Sequence, residues 1–228
     1  NRLVFLIDRG LMEMKEKTMK DMFKLTFGEE VGNAVSHGVM ALLCLLSLPF
    51  VAVYSYIKGG VVRSVGVSIF VNCLFLMFLI STIYHSMAYD SKQKYVFRKL
   101  DHICIYLAIA GSYTPVALCV VQGWVGILIL VIQWSAVLAG ILLKAIAKRS
   151  FPVLSTTIYL VMGWIAIIFI PFLIHSSFWF LFFIVMGGIM YSIGVFFYAK
   201  HKKYFHFVWH LFINCASILH FIAIVFLM

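Results

Sequence analysis

Charge is scarce in this sequence, and the scarcity is concentrated. Only 11% of its 228 residues are charged, against 64% hydrophobic, which leaves too little polar surface to clothe a water-soluble globule of this length. Ser64 to Tyr89, His102 to Leu143, Ser150 to Ala199 and Tyr204 to Met228 hold no Lys, Arg, Asp or Glu, over 26, 42, 50 and 25 residues. A helix needs about 20 apolar residues to cross the hydrocarbon core, so the first and last runs hold one span each and the long ones two. With Val31 to Ile57 added, the expectation is an all-α bundle of seven transmembrane helices. Cysteine is also sparse: Cys44, Cys73, Cys104, Cys119 and Cys215 form no C-x-x-C pair and suggest neither a disulfide framework nor a thiolate metal site. They read as small apolar residues. The last span has no Lys, which excludes a retinal Schiff base there. No cleavable signal peptide is evident, and Leu3 to Ile7 is too short to span.

Irregular backbone is not tolerated against lipid, so the long runs must break at polar or helix-breaking residues. Gln122-Gly123-Trp124 and His175-Ser176-Ser177 supply them. Helices are therefore expected near 35–57, 65–88, 99–120, 124–145, 153–174, 178–199 and 205–227, with Pro115 and Pro171 kinking the third and fifth. Trp124, Trp179 and Trp209 suit interfacial anchors. Residues 1–28 read as a cytoplasmic segment whose stretch 11–27 is an interfacial amphipathic helix, with Glu13/Lys17 and Glu16/Lys20 at i,i+4 and Met12, Met19, Met22 and Phe23 on the other face. Residues 29–228 form the membrane domain.

Orientation follows from the positive residues, which stay cytoplasmic near membrane segments. The N-terminal segment and the 2–3, 4–5 and 6–7 loops hold sixteen Lys and Arg, whereas the opposite side holds Lys58 and Arg63. This predicts the N-terminus inside and the C-terminus outside. The net charge of +10 is then a topology signal with an attraction to anionic lipid, not a mark of nucleic-acid binding.

Ionisable residues inside a membrane are expensive and point to function unless they reach water at a helix end. Here they gather at one predicted face: Glu30-x-x-Asn33-x-x-x-His37 on helix 1, Ser81-x-x-x-His85 on helix 2, Asp101-His102 on helix 3 and His206-x-x-x-His210 on helix 7. Residues four apart share a helical face, so His206 and His210 can grip one ion. With His85 they would form a three-histidine set suited to an open zinc site. Asp101 can bind the metal directly or hold its water as general base, and Ser81 can steady an oxyanion or support a ligand. Glu30, Asn33 and His37 are expected to satisfy helix-start amides and interhelical hydrogen bonds rather than a second ion, and His102, on a different face from Asp101, to support the ligands. His220 is expected to make an interhelical hydrogen bond deeper in the membrane. His175 and His201 read as loop residues.

Several separated segments resemble the hemolysin III family, the bacterial branch of the progestin and adipoQ receptor family. They are Glu30-Val-Gly-Asn33-Ala-Val-Ser-His37-Gly, Ser81-Thr-Ile-Tyr-His85-Ser, Lys99-Leu-Asp101-His102, Ala110-Gly-Ser-Tyr-Thr-Pro115, Tyr159-Leu-Val-Met-Gly-Trp164 and Phe205-His206-Phe-Val-Trp-His210-Leu-Phe. The resemblance implies seven helices with the N-terminus inside. It also implies zinc near the cytoplasmic face on His85, His206 and His210, with Asp101 reaching it through water, in the plasma membrane of a bacterium.

Family resemblance and metal do not choose the activity. The first expectation is a zinc-dependent hydrolase of lipid amides or esters, ceramidase-like or acting in membrane lipid homeostasis, with Asp101 and Ser81 as catalytic residues. Its acyl-chain substrate would enter laterally from the surrounding membrane lipids. The alternative is a non-enzymatic pore-forming cytolysin or a membrane-state sensor, in which zinc only ties helices together. A pore needs a polar stripe through the membrane, and the outer halves of these helices offer few polar residues, which disfavours a monomeric channel but leaves an oligomer open. The outer loops are brief, which argues against hormone reception.

Overall fold

The computed structural model describes residues 24–89, 91–146, 152–200 and 202–228, and every regular element among them is helical. In chain order these are α1 (Phe27–Ser86), α2 (Lys92–Val116), α3 (Gly123–Ile146), α4 (Pro152–Trp164), α5 (Ile170–Leu173), α6 (Phe178–Tyr198) and α7 (Phe205–Ile222). A π-helical turn, Ala117–Val121, prolongs α2, and another, Ala223–Leu227, prolongs α7. A 3-10 turn, Ile165–Phe169, joins α4 to α5. Six stretches are long and apolar enough to cross a membrane: Phe27–Ser86, Lys92–Val121, Gly123–Ile146, Val153–Leu173, Phe178–Tyr198 and Phe205–Leu227.

The first of these is 60 residues long and would measure about 90 Å if straight. It is not straight. Gly59 (φ −157°, ψ 19°) and Gly60 (φ +72°, ψ −164°) leave helical geometry, and Gly60 takes a left-handed φ that glycine adopts without a Cβ clash. The chain doubles back there, so that Ser64 Oγ donates to the Ala52 carbonyl at 2.8 Å and Glu30 meets His85 across 55 residues of sequence. The expected separate helices 35–57 and 65–88 are thus two arms of one hairpin, and its first arm begins at Phe27.

That early start is set by a capping box. Thr26 Oγ1 accepts from the Glu29 amide at 3.4 Å, and the Glu29 carboxylate accepts from the Thr26 amide at 2.9 Å, a reciprocal satisfaction of helix-start amides worth about 1 kcal/mol. Glu29, not Glu30, carries out the capping expected of this stretch. The expected amphipathic helix over 11–27 lies outside the described residues except at its end, where 24–26 are non-helical and Phe27 opens α1. His201 also lies outside them.

The second arm of α1 is the centre of the bundle. Val67, Phe70, Val71, Leu74 and Phe78 are buried there against α2, α7 and the first arm. Gly111 lets α2 approach it, since a Cβ at that position would lie 2.7 Å from the Cys73 Cβ. Outward faces are apolar: Leu42, Leu46, Phe50 and Val53 on the first arm, Ile127 and Leu138 on α3, and Ile168 and Ile174 beside α5 are exposed. So much contiguous apolar surface is not sustainable in water, and the fold is that of a multi-pass membrane protein.

The breaks fall where expected. Gln122 (φ 55°) and Gly123 (φ 56°) separate α2 from α3, and Ser177 Oγ caps α6 by accepting from the Phe180 amide at 3.1 Å. Pro115 precedes the π-helical turn, and Pro171 stands in the first turn of α5, after the 3-10 segment. Trp124 and Trp179 are exposed, but Trp209 is buried against Tyr198 and His210; it packs the bundle interior rather than anchoring at an interface. All five cysteines are free.

Candidate metal centre

The ends of both α1 arms and the starts of α2 and α7 converge, and the polar residues of the sequence converge with them. His206 and His210 stand one turn apart on α7, and His85 faces them from the last turn of α1, with ring centroids 5.2 Å from His206 and 4.9 Å from His210. One nitrogen from each of the three lies within 4.8 Å of the others, and Asp101 is outside that tight group. Such a set can hold a metal ion.

The His85 ring is held in place from behind. Glu30 Oε2 lies 2.6 Å from His85 Nδ1, and because a carboxylate only accepts, Nδ1 carries the proton and Nε2 is left with its lone pair turned elsewhere. Asn33 Nδ2 is 3.4 Å from the same Nδ1; with the proton already committed to the closer Glu30, Asn33 is a neighbour rather than a donor. The other Glu30 oxygen accepts from Lys94 Nζ at 2.7 Å, and Lys94 also donates to the Met87 carbonyl at 3.1 Å. Lys94 is buried. The start of α2 is therefore tied to His85 through one carboxylate.

At α7 the tie is Glu29, whose second oxygen accepts from the Tyr204 amide at 2.5 Å. Tyr204 has φ 63°, a left-handed conformation costing about 1–2 kcal/mol in a non-glycine residue, and the charge-assisted hydrogen bond offsets it. Two residues on, His206 enters the site.

The donor set passes a direct test of fit. His85 Nε2, His206 Nε2 and both nitrogens of His210 are buried without a hydrogen-bond partner, and an unmet buried polar group costs about 1–3 kcal/mol. A cation that accepts one lone pair from each ring removes that penalty at all of these atoms but the His210 N–H, and neutral imidazoles, His85 with a carboxylate behind it, are ligands that zinc accepts. Asn33 Oδ1 and Asn214 Oδ1, the latter one turn beyond His210, are also buried and unpartnered.

Asp101 is buried with its carboxylate within side-chain hydrogen-bonding reach of the Ser81 hydroxyl. His102 Nδ1 is 3.9 Å from Asp101 but donates instead to the Arg98 carbonyl at 2.7 Å, leaving Nε2 to accept from the Tyr198 hydroxyl at 3.3 Å. His37 stacks on His210 at 3.7 Å between centroids, 24° from parallel. His220 donates from Nε2 to the Ile184 carbonyl of α6 at 3.1 Å, an interhelical hydrogen bond as expected.

Beside this cluster, and lined by none of its three imidazoles, a cavity runs into the bundle, enclosing about 1100 Å³ of empty space with its open mouth included. Its head carries His37, Ser81 and Asp101; its body is mostly apolar, with Met77, Ile105 and Ile213 among the lining residues, and it extends past Trp164 of α4 and Gly188 of α6 to His220. Sequence reasoning overlooked Glu29, Lys94, Tyr198 and Asn214. The Thr26-x-x-Glu29 box was a readable signal; Lys94 looked like one more topology charge.

Fold and site together define a polytopic helical membrane protein with a cluster of three imidazoles, His85 and His210 buried and His206 half-buried, where α1 and α7 meet. The chain belongs to the haemolysin-III related family, whose model matches residues 25–221. It is similar to the Hemolysin-3 homolog of Bacillus subtilis (strain 168), 38% identical over 206 residues covering 88% of this chain and 95% of that one. It is 35% identical over 200 residues to Hemolysin-3 of Bacillus cereus, covering 87% and 91% of the two chains. A more distant likeness is the human monocyte to macrophage differentiation factor, 23% identical over 208 residues, with 89% and 85% covered.

Proposed function

We infer that this protein is a zinc-dependent hydrolase of lipid amides or esters, lying in the bacterial plasma membrane with seven spans, the N-terminus inside and the imidazole cluster near the cytoplasmic face. The observation that carries the reading is the joining of two features: three clustered imidazoles, each with a buried ring nitrogen that lacks a hydrogen-bond partner, and, beside them, a cavity whose head exposes Ser81 and Asp101 while its body is apolar. The seventh span comes from counting the two α1 arms separately, and the orientation from the distribution of Lys and Arg.

His85, His206 and His210 would hold the metal. Zinc supplies a Lewis acid that polarises a carbonyl and makes water nucleophilic near neutral pH. Asp101 would take the proton of the attacking water on a carboxylate oxygen and return it to the leaving amine or alcohol. The Ser81 hydroxyl has one proton to give, and would turn it from that carboxylate to the developing oxyanion. The apolar body of the cavity seats the acyl chain and excludes bulk water, which strengthens every polar contact at its head.

The names of the Bacillus relatives speak of lysis, and a pore-former or membrane-state sensor with a structural zinc is the competing reading. The largely apolar cavity lining gives ions no polar path through one chain, so the hydrolase is favoured. The test is metal content of the detergent-purified protein beside His206→Ala/His210→Ala, followed by hydrolysis of a panel of acyl amides and esters. About one zinc per chain, lost in the double variant, and a fall of about 10²–10⁴-fold in turnover for Asp101→Asn are the expected results. Zinc without turnover on any substrate would turn the assignment to the sensor, and wild-type protein without metal would sink the site.

A further inference from the structure

His37 stands apart from the three-imidazole group and has no role in the reaction as described, yet it is 3% exposed and lines the cavity head with Ser81 and Asp101. Its ring faces are covered: His210 stacks at 3.7 Å, and Phe78 packs edge-on at 5.0 Å and 75°. What remains free is the ring edge: the His210 backbone lies near it, but neither nitrogen makes a hydrogen bond of good geometry. A neutral imidazole brings one N–H and one lone pair, and buried groups of this kind are normally satisfied. Nothing in the apolar stretch formed by Met77, Ile105 and Ile213 can do so.

Hydrocarbon alone would leave both nitrogens unmet, so the occupant of the cavity must carry a polar head at this level. We propose that His37 is the head-group contact of the cavity, its N–H donating to the carbonyl oxygen of an acyl amide or ester while the chain runs toward Trp164 and His220. This rests on the lipid amide or ester reading and adds a specificity role: His37 selects acyl carbonyl compounds over bare hydrocarbon. It touches substrate, and it does not hold the metal.

The experiment uses the full-length, zinc-loaded protein in detergent, as wild type, His37→Phe and His37→Gln, with dodecanamide binding measured by native mass spectrometry and zinc by elemental analysis on the same samples. Phe keeps the stack on His210, and Gln keeps a donor and an acceptor. The expected result is unchanged zinc in all three, about tenfold weaker dodecanamide binding in His37→Phe, and His37→Gln close to wild type, as one neutral hydrogen bond predicts. The proposal is overturned if His37→Phe binds like wild type, if His37→Gln is as weak as His37→Phe, if wild type binds no dodecanamide, or if zinc leaves with the imidazole and so marks His37 as a ligand. Amide turnover on the same samples separates the two readings: His37-dependent binding with no turnover would remove the hydrolase and leave the contact standing.

Discussion

Glu30 performs two tasks with two oxygens, and its neighbours show how far a single residue can be read from sequence. The i,i+4 spacing of His206 and His210 and the polar company of His85 were enough to name the three imidazoles, because helical periodicity fixes which side chains share a face. Lys94 was not legible: in a positively charged loop it looks like its neighbours, and only the return of the first arm of α1 brings Glu30 within 2.7 Å of it. Glu30→Gln keeps the shape but removes the charge that fixes the His85 proton on Nδ1. Zinc affinity should then fall about 10–100-fold, measured by competition with a chromophoric chelator; an unchanged affinity would mean that the carboxylate serves only Lys94. The unpartnered oxygens of Asn33 and Asn214 escaped notice for a similar reason, since orphan atoms exist only in three dimensions.

At the scale of elements, charge-free runs gave the helices and polar tripeptides gave the breaks after α2 and before α6, because lipid leaves the backbone no other choice. Three features differ from the expectation. The hairpin in α1 turns on Gly59 and Gly60 alone, with no polar loop of the expected length, and α1 starts earlier because Thr26 and Glu29 satisfy its first amides. Trp209 reads in sequence as an interfacial anchor, since an aromatic one turn from a helix start is ambiguous until its neighbours are known; burial against Tyr198 and His210 decides it. The capping box also links elements, since Glu29 holds the Tyr204 amide that launches α7. Glu29→Ala removes both bonds and should lower stability by about 1–2 kcal/mol, seen as an earlier melt in detergent. Zinc affinity should fall with it although no ligand is altered. A melt that moves while affinity does not would show that α7 is positioned without this tie.

For the whole molecule, hydropathy and charge asymmetry carry separate information. Six described stretches can cross a membrane, and the proposed topology, N-terminus in and C-terminus out, counts the two arms of the first as separate spans. Alkaline phosphatase fused after Met228 should be active and green fluorescent protein fused there dark, with the reverse pattern at Lys203. Phosphatase activity at Lys203 instead would place the imidazole cluster on the outer side and shift its substrate to the other leaflet. The cavity was beyond reach of sequence, because it is the space left where α4 and α6 fail to close on α2 and α7, and no residue type encodes a gap.

The hairpin at Gly59–Gly60 has a bearing on biogenesis. Because both α1 arms leave the ribosome together, Glu30 and His85 can meet early, whereas His206 lies about 120 residues further on and arrives only after every intervening span has been threaded. A metal on all three imidazoles would close that long loop, and closing it costs little more than closing a short one. On the proposed metal site, capture would be the last act of assembly, a clasp fastened on a finished bundle, and a chain stalled before α7 would hold the prepared histidine with nothing to fasten it to.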